Sequence, residues 1–230
     1  MTMKHISTVV AVLGLGSLLS GCDVQQPSAG CVVQDSASWI AKYDLKEGQP
    51  ACAKPLAAGE TVGVFKYTDP MQANSTIIAL RPNGLASRGS RDPGDQRNQT
   101  AVGSLGEQPD ENDFCTATEL GEATVTAAPK TTAPVEDETR ISYKFKDVKV
   151  YTNPRAPGTQ LKADLTYTRD GCTAEYAVRA MWPAIACDPE DEDPAHNCGP
   201  GSFINPDMAV TCDPVLHICV PAKEIPSFKE

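Results

Sequence analysis

The sequence from residue 161 to residue 182 constrains the fold more than any other part of the chain. Two runs of alternating apolar and polar residues flank Asp170-Gly171, and Asp-Gly between alternating runs is typical of a two-residue β-hairpin turn. In the register that this turn imposes, each apolar residue of the first run lies opposite an apolar residue of the second. The predicted pairs are Leu161 with Ala180, Ala163 with Val178, Leu165 with Tyr176, and Tyr167 with Ala174. We therefore predict an antiparallel hairpin with one buried face.

Shorter runs with the same period of two predict further strands. They cover residues 39–46, 62–67, 76–80, 123–127 and 141–150. In the last run the apolar phase slips by one residue at Asp147, which indicates a β-bulge. Helical periodicity is scarce, and turn residues recur at short intervals along the chain. The predicted fold class is mainly β, an antiparallel β-sandwich or barrel-like domain with a disulfide-stapled, loop-rich C-terminal tail.

Two stretches interrupt the strand pattern. Residues from about 81 to 113 are rich in Gly, Pro, Asp, Asn, Ser and Gln, which predicts a long loop, either a solvated insertion or a loop that contacts a partner. The stretch also holds Arg88, Arg91 and Arg97. Residues from about 129 to 138 predict a second linker of Pro, Thr and acidic residues, where a subdomain boundary could fall. We expect a β domain over residues 31–186 and a cysteine-rich tail packed on it over residues 187–230.

Nine cysteines restrict the fold further. Cys22 ends an apolar N-terminal run, and the number of cysteines after it is even, as expected of disulfides formed in an oxidising compartment. The candidates are Cys31, Cys52, Cys115, Cys172, Cys187, Cys198, Cys212 and Cys219. Such a set can pair in about a hundred ways, so the connectivity stays open. We predict Cys31 with Cys52, Cys115 with Cys172, and in the tail either the local pairs Cys187–Cys198 and Cys212–Cys219 or an interleaved arrangement of those four.

The first 22 residues have the composition of an export signal. Lys4 precedes an apolar run from residue 6 to residue 19 that is too short to cross a bilayer. The run ends in Leu19-Ser20-Gly21-Cys22, which resembles the lipobox of bacterial lipoproteins at all four positions. The resemblance implies that residues 1–21 are removed as a signal peptide. It also implies that the thiol of Cys22 is diacylated and that the new amino group is usually acylated as well.

The resemblance implies attachment to a membrane. Two or three acyl chains anchor a protein stably, because each buried methylene contributes about 0.8 kcal/mol. Residues 22–30 would then be the lipidated cysteine and a short polar tether, which reaches at most about 25 Å from Cys22. We expect the domain in the cell envelope of a bacterium, facing the periplasm or the cell surface. Asp23 favours the inner membrane in enteric bacteria, but the choice between inner and outer membrane stays open.

Charge and motifs favour a non-catalytic protein. The formal net charge of −10 argues against nucleic acid as a partner. The chain has no G-x-S-x-G, no H-E-x-x-H and no Gly-rich phosphate loop. The two histidines after the signal, His196 and His217, lie in the cysteine-rich tail. Their spacing from Cys198, Cys212 and Cys219 matches no common zinc finger, and disulfides compete with zinc thiolates in an exported chain.

The acidic run in the tail is a candidate calcium site. Clustered carboxylates suit a hard cation. The candidate ligands are Asp188, Glu190, Asp191, Glu192 and Asp193. The run lacks the glycine and the terminal glutamate of an EF-hand loop, so a solvated acidic loop is the simpler interpretation.

The sequence therefore favours a membrane-anchored envelope lipoprotein with a non-catalytic binding or structural role. Its partners would be the lipid bilayer, through acylated Cys22, and an envelope protein or polysaccharide. The alternative is a small membrane-tethered hydrolase or metal-dependent enzyme that uses the histidines and acids of the tail. A pocket that gathers His196, His217 and several carboxylates would favour the enzyme.

Overall fold

The computed structural model describes residues 30–46, 57–72 and 75–230, so the lipobox, Cys22 and Cys52 lie outside the described residues. Strands account for most of the regular structure. They are β1 (Ser36–Leu45), β2 (Gly59–Thr68), β3 (Thr76–Pro82), β4 (Ala101–Leu105), β5 (Phe114–Thr118), β6 (Ala123–Ala127), β7 (Thr139–Asn153), β8 (Ala156–Arg169), β9 (Cys172–Met181), β10 (Val210–Asp213) and β11 (Ile218–Pro221). One short helix, α1 (Asn83–Ala86), follows β3.

The large sheet closes into a barrel. Its strand order is β5-β4-β3-β2-β1-β9-β8-β7, and β5 pairs in addition with β7, so the ring has no open edge between these strands. The neighbouring strands are antiparallel throughout. The prediction of a mainly β, antiparallel fold is confirmed. The β5–β7 pairing decides between the two predicted architectures in favour of the barrel.

The β8–β9 hairpin has the predicted register. Leu161 lies opposite Ala180 and Leu165 lies opposite Tyr176, with Asp170 and Gly171 at the turn. Both turn residues have positive φ, 51° and 84°, as a two-residue hairpin turn of this type requires. The apolar face points into the barrel and is buried. Its members are Leu161, Ala163, Leu165, Tyr167, Ala174, Tyr176, Val178 and Ala180.

A β-bulge in β7 separates the part of this long strand that pairs with β6 from the part that pairs with β5. The register with β8 shifts between Lys146 and Lys149, at the predicted phase slip, and Asp147 has φ of 50°. Before the bulge, β7 pairs with β6 from Thr139 to Tyr143. After the bulge it pairs with β5 from Lys149 to Tyr151. The bulge therefore lies where the barrel closes.

The prediction of one long loop over residues 81–113 is corrected. This stretch contains α1, two 3-10 turns (Gly89–Arg91 and Gln96–Gln99) and strand β4. Ala101-Val102-Gly103-Ser104-Leu105 has little β propensity of its own, and its conformation is set by pairing with β3 on one side and β5 on the other.

The tail packs on the outside of the barrel. Strands β10 and β11 form a separate two-stranded sheet, and β11 contacts β1 and β9. Ile40 and Met181 point outward from the barrel and are buried beneath the tail in a second apolar cluster that includes Met208 and Val220. Both faces of β1 are therefore buried at Ile40 and Ala41, although strict alternation predicted only one.

The disulfides differ from the predicted pairs. Cys31 is bonded to Cys115, so the predictions Cys31–Cys52 and Cys115–Cys172 are wrong. In the tail the interleaved arrangement is present, with Cys187 bonded to Cys212 and Cys198 to Cys219, and the local pairs are wrong. Cys172 is also disulfide-bonded, and it is only partly buried. Cys212 and Cys219 lie opposite each other on β10 and β11, and each is bonded to a different cysteine earlier in the tail.

Candidate functional site

The two ends of the barrel have different character. One end, the tether end, carries residues 69–72, 106–113 and 154–155 together with the segment 30–35, which leads into β1. At the opposite, helix end, α1 packs against β2, β3 and β6. Buried side chains fill the interior between them. Candidate binding sites therefore lie at the two ends and along the tail.

Residues 30–35 are firmly fixed to the tether end. The N–H of Cys31 donates to the carbonyl of Glu107 at 2.9 Å, and its sulfur is bonded to Cys115. The Lys66 ammonium donates to the carbonyl of Cys31 at 2.5 Å. Thr152 Oγ1 accepts from the N–H of Val32 at 3.2 Å. The chain is thus held by β2, β5, β7 and the β4–β5 turn from its first folded residue.

Gly158 allows this segment to lie against β8. Its φ is 66°, a conformation that side chains other than glycine rarely adopt. A Cβ at this position would also collide with the carbonyl of Val32. The carbonyl of Gly158 accepts from the N–H of Gln34 at 2.8 Å. The close approach at the tether end therefore depends on a glycine here.

Charged side chains hold the tail on the barrel. Lys42, on the outer face of β1, pairs with Asp213 at the end of β10. Asp213 also accepts from the backbone N–H groups of Val215 and Leu216, at 2.9 and 3.0 Å. Burial would raise the pKa of the Asp213 carboxyl, but these hydrogen bonds, led by that of Lys42, outweigh it and hold the pKa below its ordinary value. The ionised Asp213 therefore stabilises the contact between tail and barrel.

Replacing Asp213 with alanine is expected to lower the free energy of unfolding by about 2 kcal/mol. The change leaves Lys42 and two backbone N–H groups without their acceptor. Urea denaturation followed by circular dichroism measures the difference. Asp207→Ala is the control, because Asp207 is more than half exposed and lies 3.6 Å from Arg155. Equal loss in both variants would contradict this role of Asp213.

A polar cleft opens at the tether end between barrel and tail. Its volume is about 380 Å³, and it is lined by Asp110, Asn112, Asp113, Phe114, Lys149, Tyr151, Lys162, Ile225 and Pro226. The Lys162 ammonium lies 4.1 Å from the centre of the Phe114 ring and donates to the carbonyl of Ile225 at 3.4 Å. A hydrogen bond from the Phe114 N–H, opposed by partial desolvation, holds the pKa of Asp110 below its ordinary value. Lys162 and Asp110 are thus each already engaged by neighbouring groups of the protein.

An apolar groove of about 330 Å³ lies along the tail near the same end. Its lining includes Phe203, Ile204, Met208 and Val210. Phe203 has 91% of its surface exposed, the largest exposure of any large apolar residue that the structure describes. This groove and its exposed aromatic ring are the features of the surface that suit an apolar ligand or surface.

At the helix end, one carboxylate gathers three donors. Glu60, at the start of β2, accepts from the hydroxyls of Tyr43 and Tyr143 at 3.1 and 2.5 Å, and from the N–H of Gly84 in α1. The carbonyl of Gly84 in turn accepts from the Arg88 guanidinium at 3.1 Å. Tyr43 and Tyr143 are buried in the barrel core, and Glu60 is partly buried. The carboxylate therefore fixes α1 across this end of the barrel.

Burial has the largest effect on the pKa values of Glu60 and Tyr143. Desolvation raises the pKa of Glu60 above its ordinary value, against the lowering effect of hydrogen bonds from Tyr143, Gly84 and Tyr43. Burial, followed by the nearby Glu60 charge, raises the pKa of the Tyr143 hydroxyl well above its ordinary value. The tyrosines thus stay protonated and act as hydrogen-bond donors. Through these hydrogen bonds Glu60, on β2, is linked to Tyr43 on β1, Tyr143 on β7 and Gly84 in α1.

The acidic run does not gather into a cage. Asp188, Asp191 and Asp193 each accept from the backbone N–H two residues later, at 2.8 to 3.0 Å. Among the described residues, the one group of three potential metal ligands within reach of each other is Cys187, Cys198 and Cys212. Their sulfurs are in disulfides. The run is built as a series of local turns, and its carboxylates do not converge on a calcium position.

The two histidines of the tail have separate local roles. His196 Nδ1 lies 2.9 Å from Asp191, and this pair is exposed. His217 has φ of 52° in the β10–β11 turn, where its carbonyl accepts from the N–H of Cys187. Neither histidine lines the polar cleft or the apolar groove.

The arginines of the 81–113 stretch contact the chain itself. Arg91 lies 2.6 Å from Glu136, and Arg88 lies 3.7 Å from the same carboxylate. These contacts hold residues 129–138, which join the paired strands β6 and β7. Arg97 is exposed and pairs with Asp95.

Sequence reasoning missed Glu60, Asp213 and Phe203. Glu60 and Asp213 have partners 83 and 171 residues away, and no local pattern reports such pairs. The position of Phe203 could be inferred in part from the sequence. It follows Gly199-Pro200-Gly201-Ser202, and such residues are typical of a surface turn.

Comparison with known proteins places the chain in a family. The family model described as MlpA matches residues 37–183. A protein of Myxococcus xanthus named "Putative lipoprotein MlpA" is 40% identical over 240 residues, which cover 100% of this chain and 100% of that protein. The chain belongs to the MlpA family. No solved structure matches it.

The MlpA match coincides with the barrel. It begins in β1 and ends two residues after β9. The similarity to the Myxococcus protein extends beyond the barrel over the tail and the N-terminal residues. No helix in the part of the chain that the structure describes is long and apolar enough to cross a membrane.

Proposed function

We propose that this MlpA-family protein is a lipoprotein of the bacterial cell envelope, anchored to a membrane through acylated Cys22, with a barrel that has a non-catalytic binding or structural role. The observation that carries the proposal is the lipobox Leu19-Ser20-Gly21-Cys22 in a chain that matches, along its whole length, a protein whose name describes a lipoprotein. The barrel adds support, because Gly30, the first residue that the structure describes, follows Cys22 within the length of a short tether.

The non-catalytic role is supported by the described side chains. Glu60, a partly buried carboxylate, is satisfied by three donors within the fold. The histidines at 196 and 217 are held apart from both cavities. A rigid, closed barrel with disulfide-stapled loops is well suited to display a surface to an envelope protein or polysaccharide.

Replacing Cys22 with serine is expected to release the protein from the membrane. The serine hydroxyl does not accept the thioether-linked lipid that the lipobox implies, and without acyl chains the acidic domain has no stable attachment. Membrane fractionation and incorporation of labelled palmitate measure the change. Ser28→Ala, in the tether, is the matched control and should stay in the membrane fraction. Unchanged fractionation and labelling of Cys22→Ser would rule out the anchor.

A further inference from the structure

Four large apolar side chains are exposed around the tether end. Val32 lies in the N-terminal segment, Tyr67 near the end of β2, Met71 in the β2–β3 turn, and Phe203 in the tail. Their exposed fractions are 42, 50, 87 and 91%. The ammonium of Lys66, the residue before Tyr67, donates to the carbonyl of Cys31, the residue before Val32. These four residues come from separate parts of the chain and lie toward the tether end, whereas the other exposed large apolar residues that the structure describes, Leu45, Val102, Val135 and Val215, lie elsewhere.

Phe203 is held rigidly at this end. Cys198, at the base of its loop, is bonded to Cys219 on β11. Two residues after Phe203, the Asn205 side chain donates to the carbonyl of Arg155 at 2.5 Å, in the turn between β7 and β8. Phe203 itself has φ of 65°, which is uncommon for a bulky residue. The loop therefore presents an aromatic ring to the surroundings in a fixed position.

The tether limits what can face this end. Seven residues separate Cys22 from Gly30, so Gly30 can lie at most about 25 Å from an acylated Cys22. Gly30 adjoins Cys31, which is fixed among the turns of the tether end. The tether therefore keeps this apolar surface close to the bilayer, which is the nearest apolar phase.

We propose that the tether end of the barrel rests on the lipid bilayer, with Phe203 inserted at the headgroup level and Val32, Tyr67 and Met71 around it. This inference rests on the proposed anchor at Cys22. Aromatic side chains favour the membrane–water interface, where an apolar ring meets polar headgroups. Lys229 lines the same groove as Phe203 and is exposed, so its ammonium can meet a lipid phosphate.

The nature of the contact follows from the charge of the chain. Because the protein is acidic overall, with a formal net charge of −10, anionic lipid repels it at long range. The attraction between the domain and the bilayer therefore comes from insertion of apolar side chains, which the anchor holds near the membrane surface. The contact would orient the domain and leave the helix end pointing away from the membrane.

The test uses the full-length lipidated protein in vesicles of phosphatidylethanolamine and phosphatidylglycerol, with and without brominated acyl chains. Phe203→Trp places a fluorophore at the proposed contact. Val215→Trp is the matched control, because Val215 is 74% exposed and the side chain of its neighbour Leu216 faces Gly59, at the helix end of β2. The native Trp39 and Trp182 contribute equally to both variants.

Brominated lipid is expected to quench the added emission of Phe203→Trp and to leave that of Val215→Trp unchanged. If both variants float with the vesicles and are quenched equally, or neither is quenched, the contact is disproved while the anchor stands. Unquenched emission of Phe203→Trp in pure lipid would leave the surface around Phe203 available to a protein partner. If neither variant floats with the vesicles, the anchor fails and the contact that rests on it fails too.

Discussion

Replacement of Tyr176 with aspartate is expected to unfold the barrel or to lower its free energy of unfolding by several kcal/mol. Tyr176 lies on the inner face of β9, 2% exposed, with its ring centre 5.8 Å from that of Tyr43 and 6.4 Å from that of Tyr167. Burial raises the pKa of the Tyr176 hydroxyl to about 12, which shows how strongly this position disfavours a negative charge. Thermal and urea denaturation of the purified variant measure the loss.

Thr173→Asp is the matched control, since Thr173 is exposed on the same strand and its hydroxyl contacts only that of Thr168 at 2.8 Å. We expect this variant to stay within about 0.5 kcal/mol of the parent. Similar melting temperatures for the two variants would show that the two faces of the hairpin are energetically equivalent. The hairpin register would then have no bearing on the stability of the barrel.

Replacement of Glu60 with leucine is expected to cost about 3 kcal/mol or more. Leucine leaves the hydroxyls of Tyr43 and Tyr143 and the N–H of Gly84 without their acceptor. Each buried donor without a partner costs about 1–3 kcal/mol. Glu138→Leu is the control, because Glu138 is more than half exposed and pairs only with Arg140. A loss no larger in Glu60→Leu than in Glu138→Leu would contradict the role of the cluster.

Glu60 also predicts a pH dependence. Because its pKa in the folded protein is raised above the ordinary value of about 4.3, the folded state holds this proton more tightly than the unfolded state. The stability that Glu60 contributes is therefore largest below the ordinary pKa and falls as the pH rises through the raised one. Glu60→Gln should lack this slope in urea denaturation measured from pH 4 upward. An unchanged slope would assign the effect to other carboxyls.

The sequence predicted those parts of the fold that depend on local pattern. The β8–β9 hairpin and the bulge at Asp147 follow from alternation and turn chemistry within a few residues, and both were predicted at the correct positions. Strand β4 could not be recognised in this way, since its five residues form a strand only because β3 and β5 flank them. Closure of the barrel likewise depends on β5 meeting β7, which no local signal reports.

The candidate site residues show the same division between features that local sequence predicts and features that depend on long-range contacts. The tail's cysteines were recognised from the sequence, but their connectivity depends on β10 and β11 placing Cys212 beside Cys219. Cys31 and Cys115 are 84 residues apart and meet only once the sheet has closed. The exposed residues of the tether end come from separate segments, so their common location appears only in the folded protein.

The disulfide between Cys31 and Cys115 has a mechanical consequence. Strands β1 to β4 lie within the loop of 84 residues that this bond closes. A pulling force applied at Gly30 is transmitted through the covalent S–S bond directly into β5, which is paired with β4 and β7. While the bond is intact, such a force cannot peel β1 away from its neighbours or extend the chain between the two cysteines. Tension arriving through the tether is therefore borne by the closing seam of the barrel.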